Sequence, residues 1–292
     1  MYSGKLPYRR FSLRHRWITW LRDKDVKGIR YLATRMPSWL LPDPARQGEM
    51  IIETLHDLSL RIDPSKDKGV ELSLFQTGTY ERGILDFIHH NYASKGSFID
   101  IGANIGLMSL FVQRHFPQAE VHAFEAHPET AQLFRDNCTL NDLSAVHLHE
   151  VALGNGSGTV YIYDNWAVNR GGATLVPQGK DAVRHEVQLF RLDDLEVGHP
   201  EMVKIDVEGL ELDVLKGAET TLRKFRPILI VEVSENRENA HHASSEILEF
   251  IQDLGNYQVF KLKGGKERRS TLVEIRSAKD LPQHDNILCL PR

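Results

Sequence analysis

The sequence predicts an α/β fold, a mostly parallel sheet with helices on both faces. Three observations lead there. From residue 96 onward short apolar strands alternate with helical patterns, the rhythm of strands joined by helical crossovers. Apolar residues make up 41% of the chain and charged residues 26%, ordinary globular values that exclude a largely disordered chain. At 292 residues the chain is long enough to bury one large core and still carry an extension.

The elements follow in order. Residues 97–101 read as a short apolar strand, 106–116 as a helix that Pro117 stops, 120–124 as a strand, 129–140 as a helix and 146–151 as a strand. Further on, 202–206, 228–233, 257–262 and 287–290 read as strands, with helices over 210–224 and 244–254. The stretch 156–192 breaks this rhythm and reads as an insertion of β-strands around a loop at 165–179. Upstream, Leu58, Leu60 and Ile62 alternate with polar residues around Asp63-Pro64, so 53–74 reads as a small hairpin or pair of strands. Residues 80–92 read as a helix with Ile84, Leu85, Phe87 and Ile88 turned inward.

With 36 basic and 40 acidic side chains the net charge is −4, so the chain as a whole is not a polycation that coats nucleic acid. The charge is uneven. Residues 1–35 hold ten Lys or Arg against Asp23 and Asp25, and Trp17, Trp20 and Trp39 lie within the first 39 residues. A basic segment with Trp and Leu suits the surface of an anionic membrane. A helical extension packed on the body is the plainer explanation, because no clean apolar stripe at helical spacing emerges. Pro37, Pro42 and Pro44 mark a boundary, so residues 1–50 read as a basic extension and 51–292 as the folded body. Within it, 51–95 forms the hairpin and first helix and 96–292 the core.

The longest apolar runs, such as 228–231, fall far short of the roughly 18 residues a membrane span needs. The basic N-terminus has neither an apolar stretch nor a small-residue cleavage site. Cys138 and Cys289 are too few for a Cys-rich zinc site and read as two reduced thiols. Together these features point to the cytoplasm, at the inner face of the membrane if residues 1–35 touch it.

The most informative segment is Phe98-Ile-Asp-Ile-Gly-Ala-Asn-Ile-Gly106, a strand running into a tight turn and a helix. Gly102 allows a sharp turn and close approach of a ligand. Asn104 is one of the few non-glycine residues that tolerate positive φ, and Gly106 allows close helix–strand packing. A dinucleotide loop has the spacing G-x-G-x-x-G. Here it is G-x-x-x-G with Asp100 at the strand end, a carboxylate that repels a pyrophosphate but suits the ammonium and sulfonium of S-adenosylmethionine. Glu125 ends the next strand 23 residues after Gly102, where a carboxylate can grip both hydroxyls of a ribose. A solvated acid at a strand end is the alternative. Asn141 and Asp142, at the end of the following helix, can reach an adenine or simply finish that helix. Gly154-Asn-Gly156-Ser-Gly158 is followed by a strand and reads as a hairpin turn.

Ligands of open α/β sheets bind beyond the carboxyl ends of the strands. Two more strand ends carry acids there, Asp206 followed by Glu208, and Glu232 on the next strand. Asp206 and Glu232 are expected side by side, about one strand spacing apart. An alcohol is a poor nucleophile at neutral pH and needs a base or a metal to lower its pKa. Asp206, Glu232 and Glu208 can act as that base, and Asp206 with Glu232 can hold Mg²⁺ or Mn²⁺ through hard oxygen ligands. The structural alternative is that Asp206 caps the next helix and Glu208 supports its first turn. No D/N-P-P-Y/F tetrad is present, which argues against methylation of nucleic-acid amino groups. Among 14 histidines no H-E-x-x-H or Cys/His zinc spacing occurs. They read as surface or core residues, with His127 close to the site and His241 as a reserve base.

The chain resembles the FkbM-type methyltransferases. The carrying segments are Gly78-Thr-Tyr-Glu81, residues 98–107, Ala123-Phe-Glu-Ala-His-Pro128, Val151-Ala-Leu-Gly154, Val203-Lys-Ile-Asp-Val-Glu-Gly-Leu-Glu211 and Pro227-Ile-Leu-Ile-Val-Glu232. The resemblance covers residues 55–290, with Ala126 where the family more often has proline. It implies a class I methyltransferase (Rossmann-like) fold, a seven-stranded sheet whose last strand is antiparallel. It also implies S-adenosylmethionine as donor, O-methylation of sugar, glycan or natural-product hydroxyls, and a place for Glu81 on the cofactor pocket.

The expected partner is accordingly a small-molecule or glycan acceptor rather than a nucleic acid. Within Asp164-Asn-Trp-Ala-Val-Asn-Arg-Gly-Gly-Ala-Thr174, Trp166 suits a sugar face and Asn169 or Arg170 an acceptor hydrogen bond. Two other readings stay open. One is a non-catalytic cofactor-binding module recruited through the basic N-terminus, which the intact acids at 206, 208 and 232 oppose. The other is a nicotinamide-dependent oxidoreductase, which Asp100 and the loop spacing oppose.

Overall fold

A computed structural model of the chain describes Leu6, Tyr8, Arg9, Trp17, Trp20 and residues 41–164, 183–207, 209–234 and 242–292. The N-terminal part consists of β1 (Tyr8–Arg9), β2 (Met50–Glu53), β3 (Ser59–Ile62), α1 (Val70–Thr77) and α2 (Arg82–Asn91). Then come β4 (Ser97–Ile101), α3 (Leu107–His115), β5 (Val121–Phe124), α4 (Pro128–Leu140) and β6 (Val146–His149). The insertion holds β7 (Ala152–Leu153), β8 (Gly158–Tyr163) and β9 (Arg184–Phe190). The chain ends with β10 (Pro200–Ile205), α5 (Glu211–Gly217), α6 (Glu219–Phe225), β11 (Ile228–Ser234), α7 (Ser244–Asp253), β12 (Tyr257–Leu262), β13 (Leu272–Glu274) and β14 (His284–Pro291).

The main sheet has the order β13-β12-β14-β11-β10-β4-β5-β6. Strands β6, β5, β4, β10 and β11 are mutually parallel, and β14 runs antiparallel between β11 and β12. This is the expected class I methyltransferase sheet with its reversed last strand. An eighth strand, β13, adds to the expected seven by pairing with the edge of β12. The chain moves outward from β4 to β6 and then returns to β10 on the other side of β4. The switch point, where such sheets hold ligands, therefore lies between β4 and β10.

Strand alternation sorts the residues between two apolar layers. Phe98, Met202, Ile230 and Leu288 face one layer, with Phe111 and Phe134. Ile99, Ile101, Val203, Ile205, Val231 and Ile287 face the other, with Leu215 and Ile251. With a period of two, Asp100, Lys204, Asp206 and Glu232 share the first face, the one covered by α2 and α3. Four charged groups are thus gathered on one side of the sheet at its carboxyl edge.

Three readings change. The hairpin is β2–β3, at 50–62, and 70–77 is a helix closed by Gly78 at φ +73°. The helix expected over 210–224 is two, broken at Ala218. The backbone of Gly154 packs onto Gly217, where a Cβ would lie 1.9 Å from the Gly154 carbonyl oxygen. The Asp193 carboxylate then accepts from Thr220 N and Thr221 N at 3.0 and 2.8 Å and serves the exposed amides that open α6. Finally, 154–158 is not a hairpin turn. β7 and β8 both pair with β9, which lies between them in a separate three-stranded sheet. No helix among the described residues is long and apolar enough to cross a membrane. Cys138 and Cys289 are free thiols, and Tyr8–Arg9 pairs with β2 in parallel.

Candidate active site

A cleft of about 580 Å³ opens at the carboxyl edge, within the usual range for small-molecule sites. Its walls include Tyr80, Glu81, Asp100, Gly102, Asn104, Glu125, Lys204, Asp206 and Glu232.

The β4–α3 turn is built as its residues require. Gly102 and Gly106 have φ of +77° and +90°, and Asn104 adopts +53°. A Cβ on Gly102 would lie 1.8 Å from the Asp206 carbonyl oxygen, so the close approach is made by the neighbouring strand end. Asp206 N also donates to the Ile101 carbonyl at 3.0 Å. Gly106 lies against Phe134 of α4, where a Cβ would meet the ring at 2.3 Å.

Glu125 is half-buried beside this turn. Its two carboxylate oxygens accept from Asn104 N at 2.8 Å and His127 N at 2.9 Å. Burial outweighs these two bonds and raises its pKa to about 7. Asp100 is fully buried, with Oδ2 bonded to Ser109 Oγ at 2.7 Å and Oδ1 without a hydrogen-bond partner among the described residues. Burial also raises its pKa, against the opposing pull of Lys204 and Ser109.

Asp206 and Glu232 end adjacent strands, and their carboxylates lie close to that of Glu81, with one oxygen of each within 4.8 Å of the others. Glu81 reaches them from the start of α2, where it holds φ +46° with a fully buried side chain. A non-glycine residue in this region is strained and persists only when its surroundings hold it. Two lysines complete the cluster. Lys204 Nζ is 3.1 Å from Asp206 Oδ2. Lys266, from the β12–β13 connection, places Nζ 2.8 Å from Glu81 and 2.6 Å from Glu232. Burial lowers the pKa of each lysine. For Lys204 the carboxylates of Asp206, Glu81 and Asp100 outweigh it, and for Lys266 those of Glu81, Glu232 and Asp206 with the phenol of Tyr80. Both therefore titrate above an ordinary lysine and stay positively charged.

This arrangement does not fit the Mg²⁺ or Mn²⁺ expected at Asp206 and Glu232. The Lys266 ammonium already bridges Glu232 to Glu81, and a dication would have to displace it. The capping role for Asp206 also fails, since Leu210 opens α5 without a side-chain cap.

Asn141 and Asp142 are not part of the cleft. Asn141 accepts from Ser59 N at 2.8 Å and donates to Ser59 O and Asn137 O, both at 2.7 Å. It fastens the end of α4 to β3, while Asp142 is exposed in a turn at φ +55°. Asn141→Ala should therefore cost about 2–3 kcal/mol of stability and leave ligand affinity unchanged; denaturant unfolding with a binding titration checks both. Glu208, Trp166, Asn169, Arg170 and His241 lie outside the described residues. Lys204 and Lys266 escaped the sequence reading. Lys204 had a signal, since it precedes Asp206 by two residues on one strand, whereas Lys266 lies in a hydrophilic connection that resembles any surface turn.

The strand order and the loop geometry at its switch point define a class I methyltransferase fold. The Methyltransferase FkbM domain family matches residues 100–257, more than half of the chain, and the chain belongs to that family. Methyltransferase sdnD of Sordaria araneosa is 34% identical over 181 residues, which cover 50% of this chain and 69% of that protein. Methyltransferase 1 of Beauveria bassiana is 29% identical over 161 residues, 48% of this chain and 65% of its own length. The hexuronic acid methyltransferase AglP of Haloferax volcanii is 28% identical over 134 residues, with 46% and 54% covered. The chain thus spans about half to two-thirds of these relatives. A crystal structure of a methyltransferase FkbM from Methylobacillus flagellatus covers 94% of this chain and 57% of its own, at 16% identity and a TM-score of 0.44.

Proposed function

We propose that the chain is an S-adenosylmethionine-dependent O-methyltransferase acting on a hydroxyl of a sugar, a glycan or a secondary metabolite. The observation that carries this reading is the joining of two sets of groups in one cleft. The Gly102–Gly106 turn with Glu125 forms one end, and the Asp206 cluster lies beside it. Family membership supports the reaction class. The relative named a hexuronic acid methyltransferase supports a sugar acceptor.

The residues present fit the donor. Glu125 offers a carboxylate for vicinal ribose hydroxyls. Asp100, whose Oδ1 has no hydrogen-bond partner among the described residues, offers a buried carboxyl oxygen as acceptor for an ammonium. Four carboxylates, from Glu81, Asp100, Asp206 and Glu232, surround two lysines, which favours a cationic ligand over a pyrophosphate. S-adenosylmethionine supplies the methyl group as an electrophile on a sulfonium. The chain positions the acceptor hydroxyl and takes its proton. Asp206 is the carboxylate best placed to accept that proton, because its side chain is 19% exposed where those of Glu232 and Glu81 are 4% and 0%. Lys266 is already protonated and cannot serve.

Thermal unfolding with S-adenosylmethionine, S-adenosylhomocysteine and NAD⁺ tests the reading. Each adenosyl compound at 100 times its dissociation constant should add about 2.7 kcal/mol. Stabilisation by NAD⁺ alone, or by none of the three, would overturn it. A second expectation concerns pH. A ribose diol is held best by an ionised Glu125, so affinity for S-adenosylhomocysteine should fall as pH drops through about 7. Glu125→Gln should bind more weakly and flatten that profile; calorimetric titrations at pH steps from acid to neutral read both.

A further inference from the structure

A second cluster lies outside the catalytic group. His127 Nε2 is 2.8 Å from Asp164 Oδ1, and His185 Nε2 is 2.7 Å from the same oxygen. These three residues come from separate elements. His127 precedes α4, Asp164 follows β8, and His185 lies on β9. The side chains of His127 and Asp164 are 2% and 7% exposed, and that of His185 is 20%. Two imidazole nitrogens and one carboxylate oxygen thus converge from three directions on one nearly enclosed point.

We propose that His127, Asp164 and His185 bind a divalent transition-metal ion of the zinc class. Two imidazoles and a carboxylate form a donor set that suits Zn²⁺, Co²⁺ or Fe²⁺ and disfavours Mg²⁺, which prefers oxygen ligands throughout. Ligand bonds of about 2.1 Å set donor atoms about 3.0 Å apart at right angles and about 3.4 Å apart at tetrahedral angles. The observed 2.8 and 2.7 Å require each pair to part by about 0.2–0.3 Å for right angles and about 0.6–0.7 Å for tetrahedral ones. The remaining ring nitrogen of His127 is also provided for. Nδ1 lies 3.5 Å from Thr130 Oγ1, an outer partner of the kind that orients a ligating imidazole.

The position gives the ion a consequence. Asp164 N donates to Val183 O at 3.0 Å, extending the β8–β9 ladder beyond the Tyr163–Arg184 pair. His127 N donates to Glu125, which stands on the cleft wall. A bound ion therefore ties this end of the β8–β9 pair to the start of α4, two residues from the proposed ribose carboxylate. The inference does not depend on methyl transfer.

The test uses the full chain, stripped with a chelator and titrated with Co²⁺, with visible absorption as the readout. The same sample is loaded with Zn²⁺ and its metal content measured. The native chain should take up one equivalent of either ion and show Co²⁺ ligand-field bands. His185→Gln should bind at least about 100-fold more weakly and lose the bands, since even indirect partners of a metal cost 10–100-fold. Asp164→Asn guards against misfolding. It keeps an oxygen that accepts from both imidazoles, so a hydrogen-bonded cluster would survive it, but its metal affinity should fall as far. Glu232→Gln should bind Co²⁺ as the native chain does. Absence of stoichiometric binding, unchanged bands in both His185→Gln and Asp164→Asn, or loss of binding in Glu232→Gln would overturn the proposal.

Discussion

Asp206→Asn should lower the rate of methyl transfer by about 10²–10⁴-fold, the usual contribution of a positioned general base. Affinity for S-adenosylhomocysteine should change little. Asn keeps the shape of the side chain and a hydrogen bond from Lys204, but it cannot take a proton. Asp206 N would still donate to the Ile101 carbonyl, so the strand end stays in place. Single-turnover kinetics together with a binding titration separate the two quantities. Equal turnover by native and variant chains would remove Asp206 from the reaction. Equal loss of binding and turnover would reassign it to holding the donor.

Lys266→Met should have the largest effect on stability, about 3–5 kcal/mol, because it removes the ammonium that bridges two buried carboxylates. Glu81 is fully buried and Glu232 nearly so, and neither can reach water for compensation. The sign of the pH dependence follows. In the native chain Lys266 titrates above an ordinary lysine, so its contribution is complete below the ordinary lysine value and is lost as pH rises through the raised one. Mildly acidic and mildly alkaline pH both lie below the ordinary lysine value, so the variant's deficit should be the same at each. Combining Lys266→Met with Glu81→Gln and Glu232→Gln should recover much of the loss. Urea unfolding at mildly acidic and mildly alkaline pH measures all three effects. A triple variant no more stable than Lys266→Met alone would mean that Lys266 acts through packing.

The residues differ in how much of this could be read from them. Asn104 announced its own backbone, because few other residues tolerate a positive φ there. Asp206 and Glu232 could be placed side by side because each ends an apolar run that reads as a parallel strand. Asn141 misled for a physical reason. An amide at a helix end looks the same whether it faces a ligand or, as here, a backbone 82 residues earlier. The break at Ala218 follows Gly217, a weak helix former whose missing side chain also admits the Gly154 backbone from more than 60 residues upstream. His127 and Asp164 are 37 residues apart, and His185 lies a further 21 along, a spacing that no short motif captures. Alternation within a strand is local and legible. Pairing between a turn and a distant helix start, such as Lys266 with Glu81, is decided by the closed tertiary structure.

The contact between Gly102 and the Asp206 carbonyl has a consequence for alignment. With no room for even a methyl group between them, the turn at Gly102 and the backbone of Asp206 are parts of one rigid body. On the reading proposed above, the span between the reactive carbon and the proton acceptor is a property of the fold, set before any ligand arrives. Such pre-setting is the form of proximity that loses least entropy during reaction. It also limits how the site can diversify. On that reading, a change of acceptor would fall on the lining supplied by β8 and β9, which belong to a different sheet, and would leave the spacing between donor and base as it is.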